Sequence, residues 1–416
     1  MTPATLSVLA LVAVIVLSLT SRINVGIVAV ALAFPVGIYA AGWKADALLG
    51  LFPSALFLTL AGVTLLFGVA QENGTLGALA RRGMRACGGT PALLPPLFFI
   101  LACALAAIGP GAIAASALVA PLAMAAGATA GVSPFVMALM VANGANAGNL
   151  SPFSAVGVIV HTQMQKAGLP AAEFGVFAAN FAAHALVAAG AYVFFGGLAL
   201  RRAPRVAPAG AAEGAPLTGR QWLTLAVLAA WIVGVVALKV NPGLSAFAGA
   251  AVLILARAAE DAKAVAAVPW SVLLMVSGVS VLVGVLEKTG GMELFSSLLA
   301  GLATPGTVNG AMAFVTGLIS TYSSTSGVVY PAFLPMVPGL VEKLGGGHPL
   351  EIALSINVGA AIVDVSPLST IGALCIAGLP ASGDAKRLFR QMLLWGFAMV
   401  AVGALFCQFL IRFFVP

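Results

Sequence analysis

Two short runs hold most of the chemistry this chain can do. Residues 143–154 read NGANAGNLSPFS, and residues 357–370 read NVGAAIVDVSPLST. Each sets a proline, two serines three apart, glycine and either an amide or an acid inside an otherwise apolar stretch. Proline removes a backbone donor and frees carbonyls in the turn before it, and glycine accepts dihedrals that other residues avoid. In hydrocarbon each orphaned backbone group costs several kcal/mol, so these groups must face protein, water or a bound ion. The amides of Asn143, Asn146 and Asn149, the carboxylate of Asp364, the hydroxyls of Ser324 and Thr325 and the freed carbonyls form an oxygen-donor set for a cation. Na⁺ held by Asn146, Asn149 and Asp364 is the first expectation, with H⁺ carried by Asp364 as the alternative. Asp364 as a protonated acid bonded within the core is the plainer reading.

A second pair of runs suits an anion. AAIGPGAIAAS turns at Gly109, Pro110 and Gly111, and STYSSTSGVVYP turns around Ser323, Ser324, Thr325, Ser326 and Gly327. A helix restarting after each turn offers free N–H groups and a positive dipole end, with hydroxyls beside them. Ser151, Ser154, Ser366, Ser369 and Thr370 complete the expected substrate set, together with Asn149. No Lys or Arg falls mid-membrane, so an anion must be held by N–H groups, hydroxyls, amides and a co-bound cation. His184 and His161 lie in apolar segments, where a histidine either relays protons or bonds a neighbouring helix.

The elements that must position these residues follow from composition. Of 416 residues 61% are hydrophobic and 7% charged, too few charges for a water-facing surface. Apolar segments at about 5–20, 24–41, 52–71, 133–160, 172–200, 221–238, 243–257, 268–288, 349–378 and 391–413 read as ten crossings of a polytopic, all-α membrane protein. The stretches 92–128 and 307–342 are too long for one helix and carry Gly, Pro and Ser centrally, which reads as re-entrant hairpins. The first segment has no basic residue before it and Arg22 after it, so it reads as a permanent span rather than a signal peptide. Cys87, Cys103, Cys375 and Cys407 have no paired or metal-type spacing and read as packing residues.

With Arg81, Arg82 and Arg85 on the cytoplasmic side, alternation puts Arg22, Arg201, Arg202, Arg205, Arg220, Arg257, Lys263, Lys386, Arg387 and Arg390 there too. Lys44, Lys166, Lys239, Lys288, Lys343 and Arg412 remain outside, 13 against 6 of the 19 basic residues. The net charge of +7 is therefore read as an orientation signal, with no nucleic-acid partner expected. Residues 201–220 become a cytoplasmic linker.

Residues 52–76 laid over 268–292 give 8 identities in 25, among them Gly62/Gly278 and Gly74/Gly290, where roughly two are expected by chance. At an offset of 215 the pairs Asn149/Asp364, Ser151/Ser366, Pro152/Pro367, Ser154/Ser369 and Gly157/Gly372 coincide. The chain thus reads as two repeats, 1–200 and 221–416, each with five crossings and one hairpin. An odd number of crossings inverts the second copy, and inverted repeats with matching interrupted helices mark secondary transporters.

These features resemble the ion transporter superfamily that includes the divalent anion/sodium symporters. The runs LAGVTLLFGVAQENGTL and NGANAGNLSPFSAVG are especially similar to MatC-type dicarboxylate (malonate) carriers. The resemblance spans nearly the whole chain. It implies a homodimer, a scaffold domain, and a transport domain of hairpins and broken helices moving elevator-fashion with a dicarboxylate and cations. Those symporters carry a Ser-Asn-Thr signature at each hairpin tip. Here Ser323, Ser324 and Thr325 approximate the second, and Gly109, Pro110 and Gly111 replace the first.

The leading expectation is a cation-coupled importer of malonate, succinate or malate in a bacterial inner membrane, with no cofactor. Rivals of the same fold are a Na⁺/H⁺ antiporter, which would want more buried acids than Asp364, and an oxyanion efflux carrier. An intramembrane enzyme would need a second deep aspartate or an HExxH run, and neither occurs. A channel does not call for paired hairpins.

Overall fold

A computed structural model of the chain describes every residue except 22, 79–89, 110, 203–215, 239, 269, 322–323, 381–382 and 416. Arg22, Arg81, Arg82, Arg85, Arg205, Lys239, Cys87, Pro110 and Ser323 therefore lie outside the described residues.

Every regular element among the described residues is a helix. The apolar segments become Pro3–Thr20, Val25–Pro35 running on into Val36–Ala40, Ser54–Glu72, Glu173–Phe194, Gly219–Ala237, Pro242–Leu255, Trp270–Lys288 and Ala385–Leu410. The last begins six residues before its apolar run, because the carboxylate of Asp384 accepts the Arg387 N–H and caps a charged first turn. The hairpins become Leu94–Ala107 with Gly111–Thr129, and Val308–Ser320 with a run of short helices from Thr325 to Leu344. The broken segments become Pro134–Gly148 with Ala155–Lys166, and Pro349–Ile362 with Thr370–Ala377.

Among the described residues, four helices are long and apolar enough to cross a bilayer by themselves: Ser54–Glu72, Gly111–Thr129, Glu173–Phe194 and Ala385–Phe414. Seven more apolar helices run 10–17 residues. They are short because breaks, caps and turns divide the apolar sequence, so a span is often completed by two pieces. The chain is an integral multi-pass membrane protein. One helix was invisible to hydropathy: Gly291–Ala300 follows Leu273–Lys288 at a bend of 93°, after Gly290 in the left-handed region. Its apolar and polar residues divide between two faces, as a helix lying along the membrane surface requires.

Among the described residues, and leaving out Gly291–Ala300, the order of the longer helices from Pro3 to Phe194 recurs from Gly219 to Leu410. Packing recurs as well. Gly26 lies so close to helix Trp270–Lys288 that a Cβ there would sit 2.3 Å from the Leu274 carbonyl, and one on Gly278 would sit 2.1 Å from the Gly26 carbonyl. The counterpart is Gly62, whose Cβ would meet the Gly243 carbonyl at 2.4 Å, while a Cβ on Gly243 would meet the Thr59 backbone at 2.4 Å. In each half the second span thus lies against the third span of the other half, backbone to backbone, where side chains larger than hydrogen have no room.

Candidate functional site

The first break begins where helix Pro134–Gly148 runs out. Gly144 and Gly148 face the Phe99 and Cys103 carbonyls so closely that the hairpin's entering arm, Leu94–Ala107, rests on the helix backbone. After Gly148 the chain runs through single turns, with the Ser151 N–H on the Gly148 carbonyl at 3.1 Å and the Ser154 N–H on the Ser151 carbonyl at 3.0 Å, until Ser154 caps Ala155–Lys166 by accepting the Gly157 N–H at 2.9 Å. The Ser154 hydroxyl donates to the carbonyl of Asn149, which the break would otherwise orphan, and also reaches the Ser151 carbonyl. Two bonds then clasp the hairpin tip. Asn149 Oδ1 accepts the Ala112 N–H at 2.9 Å, and the Ala155 N–H donates to the Gly109 carbonyl at 3.1 Å. Gly109 (φ 154°) and Gly111 (φ 76°) occupy dihedrals that L side chains rarely adopt, and a Cβ on Gly109 would overlap the Phe67 ring.

The second break repeats the pattern 215 residues later. The Ser369 hydroxyl donates to the Asp364 carbonyl at 2.6 Å and to Ser366 at 2.8 Å, and accepts the Gly372 N–H at 3.2 Å. Where Asn149 accepts a backbone N–H, Asp364 Oδ2 accepts the Thr325 hydroxyl at 2.8 Å. The Ser320 hydroxyl in turn bonds Thr325, so a short chain of hydroxyls leads from the hairpin's first arm to the carboxylate. Ser324 caps the restart by accepting the Gly327 N–H at 3.0 Å. The Tyr330 hydroxyl donates to the Asn357 carbonyl at 3.1 Å, fixing the second arm to the broken helix.

The halves interlock at these breaks. Ala155–Lys166 packs on the second hairpin's return arm, and Thr370–Ala377 packs on Gly111–Thr129, where Gly378 meets the Ala120–Pro121 backbone. The two breaks differ in access. Ser151 and Ser154 are buried, whereas Asp364 and Ser369 are half-buried and Leu368 and Thr370 are exposed.

Of the residues expected from sequence, the fold brings Gly109, Gly111 and Asn149 together at one tip and Ser324, Thr325, Ser326 and Asp364 at the other. Ser151, Ser154, Ser366 and Ser369 hold the turns that shape the breaks, and most of their hydrogen-bonding capacity is spent there. Asn143 turns elsewhere, toward helix Glu173–Phe194, and that helix also reaches the main chain at Asn146. Asn143 Oδ1 lies 3.0 Å from His184 Nδ1. Asn180 Nδ2 donates to the Asn146 carbonyl at 2.7 Å. Among the described residues no hydrogen bond joins Asn146 or Asn149 to Asp364. Sequence reasoning missed Asn180; its signal was an amide in the middle of an apolar span. The three described cysteines, Cys103, Cys375 and Cys407, are free and buried.

Residues 1–149 match the family model of the dicarboxylate carrier protein MatC N-terminus. That is the part of the chain holding the first hairpin and the helix up to Asn149. Two uncharacterized transporters of Mycobacterium tuberculosis, from the CDC 1551 / Oshkosh and H37Rv strains, are each 32% identical over 160 residues. The match covers 35% of this chain and 36% of theirs, so the chain spans about a third of the length of the curated relatives it matches. Two solved structures share the fold almost end to end. Neisseria gonorrhoeae MtrF, described as illuminating a class of antimetabolite efflux pumps, superposes with a TM-score of 0.59 at 14% identity, over 98% of this chain and 95% of that one. The Alcanivorax borkumensis YdaH transporter, described as having an unusual topology, superposes with a TM-score of 0.60 at 16% identity, over 99% of both chains.

Proposed function

We propose that the protein is a secondary transporter that moves a small dicarboxylate such as malonate, succinate or malate together with a cation across a bacterial inner membrane. The observation that carries this reading is the doubled clasp. In each half a broken helix binds its own hairpin tip through the residue six positions before the second helix piece, Asn149 in one and Asp364 in the other. The second piece of each broken helix lies on the opposite hairpin. Two unwound polar segments facing one another from inverted copies of a fold form a cage for a solute, reached alternately from either side.

The roles follow from the donors available. At the first tip the glycines leave backbone N–H groups uncovered, as a carboxylate of the substrate requires. At the second tip Asp364 is the negative group in reach, and with Thr325 and the turn carbonyls it offers oxygen ligands to a cation. Na⁺ is the ion we assign there, with Asn149 contributing from the first break. A dianion and a cation bound together cross hydrocarbon at lower cost than the dianion alone, which is the physical basis of coupling.

An elevator motion fits the packing. Helices Pro3–Glu72 and Gly219–Ala300 would form the scaffold and dimer interface of a homodimer, and the hairpins, broken helices and last spans the moving domain. The second hairpin lies along helix Trp270–Lys288, with Gly327 against Met275, whereas only the tip of the first hairpin reaches Ser54–Glu72. Exchanging these unequal contacts between the halves describes the opposite-facing state. The MtrF likeness favours export as a second reading, so direction is part of the test. Purified protein in liposomes should accumulate labelled malonate or succinate under an imposed Na⁺ gradient. Transport driven only outward from preloaded vesicles would select the exporter, and no gradient-driven movement of any dicarboxylate would reject the carrier assignment.

A further inference from the structure

The seam between helices Pro134–Gly148 and Glu173–Phe194 holds a cluster of buried polar groups that the site above does not use. Asn143, Asn146, Asn180 and His184 are each fully buried. Asn143 and Asn146 are three apart on one helix and Asn180 and His184 four apart on the other, so each pair shares a face. The Asn143–His184 side-chain bond and the bond from Asn180 Nδ2 to the Asn146 main-chain carbonyl hold the two helices together at this seam. Yet both carboxamide atoms of Asn146, Oδ1 of Asn180 and Nε2 of His184 have no hydrogen-bond partner. A buried polar atom without a partner costs about 1–3 kcal/mol, so four on one seam point to something they hold.

The sign of the unmet groups says what that is. Asn143 Nδ2 donates to the Leu139 carbonyl at 2.9 Å, which turns Oδ1 toward the imidazole as an acceptor. Nδ1 of His184 therefore carries the ring hydrogen, and Nε2 presents a bare lone pair. Three acceptors along the seam, Asn146 Oδ1, Asn180 Oδ1 and His184 Nε2, are unmet, against a single unmet donor group, Nδ2 of Asn146. We propose that this seam binds a proton, taken on Nε2 of His184 and shared with the carboxamide oxygens of Asn146 and Asn180. The proton adds to the ring lone pair and no bond in the protein breaks. Nε2 changes from acceptor to donor, so one proton satisfies the ring nitrogen and an amide oxygen together. The imidazolium is then held between Asn143 Oδ1 and an oxygen on its other side.

Helix Pro134–Gly148 carries no titratable group. Elsewhere around the seam, Leu94–Ala107 carries Cys103, Pro349–Ile362 carries Glu351, and Ile411–Phe414 carries Arg412. The neighbouring span Ala385–Leu410 carries Lys386, Arg387, Arg390 and Cys407, and the histidine's own helix carries Glu173 and Tyr192. None is hydrogen-bonded to His184, and Glu351 is engaged by Asn309 at 2.7 Å. The proton is thus held by neutral amides, at a site separate from Asp364. Its role as a second coupling ion rests on the carrier reading, whereas its binding does not.

The test uses full-length protein in lipid nanodiscs, labelled with ¹⁵N-histidine and carrying His161→Asn and His348→Asn, which leave His184 as the one histidine. The ring should show the Nδ1–H tautomer in alkaline buffer and gain a proton on Nε2 as the pH falls. Asn180→Leu and Asn146→Leu should each lower the proton affinity about tenfold, roughly one pH unit in the midpoint; Asn180→Ser and Asn146→Ser serve if the leucine variants fail to fold. A ring that stays neutral across the range in which the protein remains folded, an Nε2–H tautomer in alkaline buffer, or a titration unmoved by the amide variants would overturn the proposal. None of these readouts requires a transported substrate, so failure here is distinct from failure of the dicarboxylate assignment.

Discussion

At the residue scale the two halves differ most at the clasp. Asn149 offers an amide oxygen to a backbone N–H, while Asp364 offers a carboxyl oxygen to a hydroxyl. A hydrogen bond or ion contact to a charged group contributes about 1.5–3 kcal/mol. Asp364→Asn should therefore raise the Na⁺ concentration needed for half-maximal uptake roughly ten- to a hundredfold. Asn149→Ala should mainly weaken substrate binding, because it releases the first tip. Uptake measured against Na⁺ in proteoliposomes separates the two, and unchanged cation dependence in Asp364→Asn would remove that residue from the ion site. Thr325→Val tests the hydroxyl relay by the same assay and should act in the same direction as Asp364→Asn, less strongly.

At the element scale, glycines and serine caps hold the broken helices in register. Ser154→Ala and Ser369→Ala each remove a cap worth about 1 kcal/mol and leave one carbonyl of the break, that of Asn149 or Asp364, without its donor. Both should lower the temperature at which purified protein unfolds, the first more because its break is buried. Gly148→Ala would drive a Cβ to 2.2 Å from the Cys103 carbonyl. Overpacking of this kind costs about 1–3 kcal/mol, so a thermal shift at least as large as that of the cap variants is expected. The breaks were legible in the sequence because proline, serine and glycine interrupt hydropathy in the same way twice. The hairpins were legible for the same reason. The helix Gly291–Ala300 was not, since a short amphipathic helix lying beside a span has no hydropathy peak of its own. The grouping of Asn143 and Asn146 with the break was drawn from proximity in sequence. Asn143 instead meets His184 and Asn180 reaches the main chain at Asn146, from a partner helix more than thirty residues away.

At the scale of the whole molecule, close glycine contacts join each early helix to the opposite half, and the hairpins meet the opposite broken helices. The elevator reading divides these contacts into a fixed and a sliding set. The Gln163 side chain, on the first broken helix, donates to the Ser280 hydroxyl of helix Trp270–Lys288 at 3.3 Å, across the boundary between the two sets. Cysteines at these positions, joined by a short bifunctional thiol reagent in a background without other cysteines, should abolish uptake. Uptake should return when the linker is cleaved, and full activity with the link intact would show that this boundary does not slide. The central claim, that both breaks line one site, is tested most directly by substrate protection. Ala155→Cys and Thr370→Cys put a thiol at the start of the second piece of each broken helix. In the carrier, malonate with Na⁺ should slow thiol labelling at both positions with the same half-effective concentration. Protection at one position alone, or at two unrelated concentrations, would contradict a shared site.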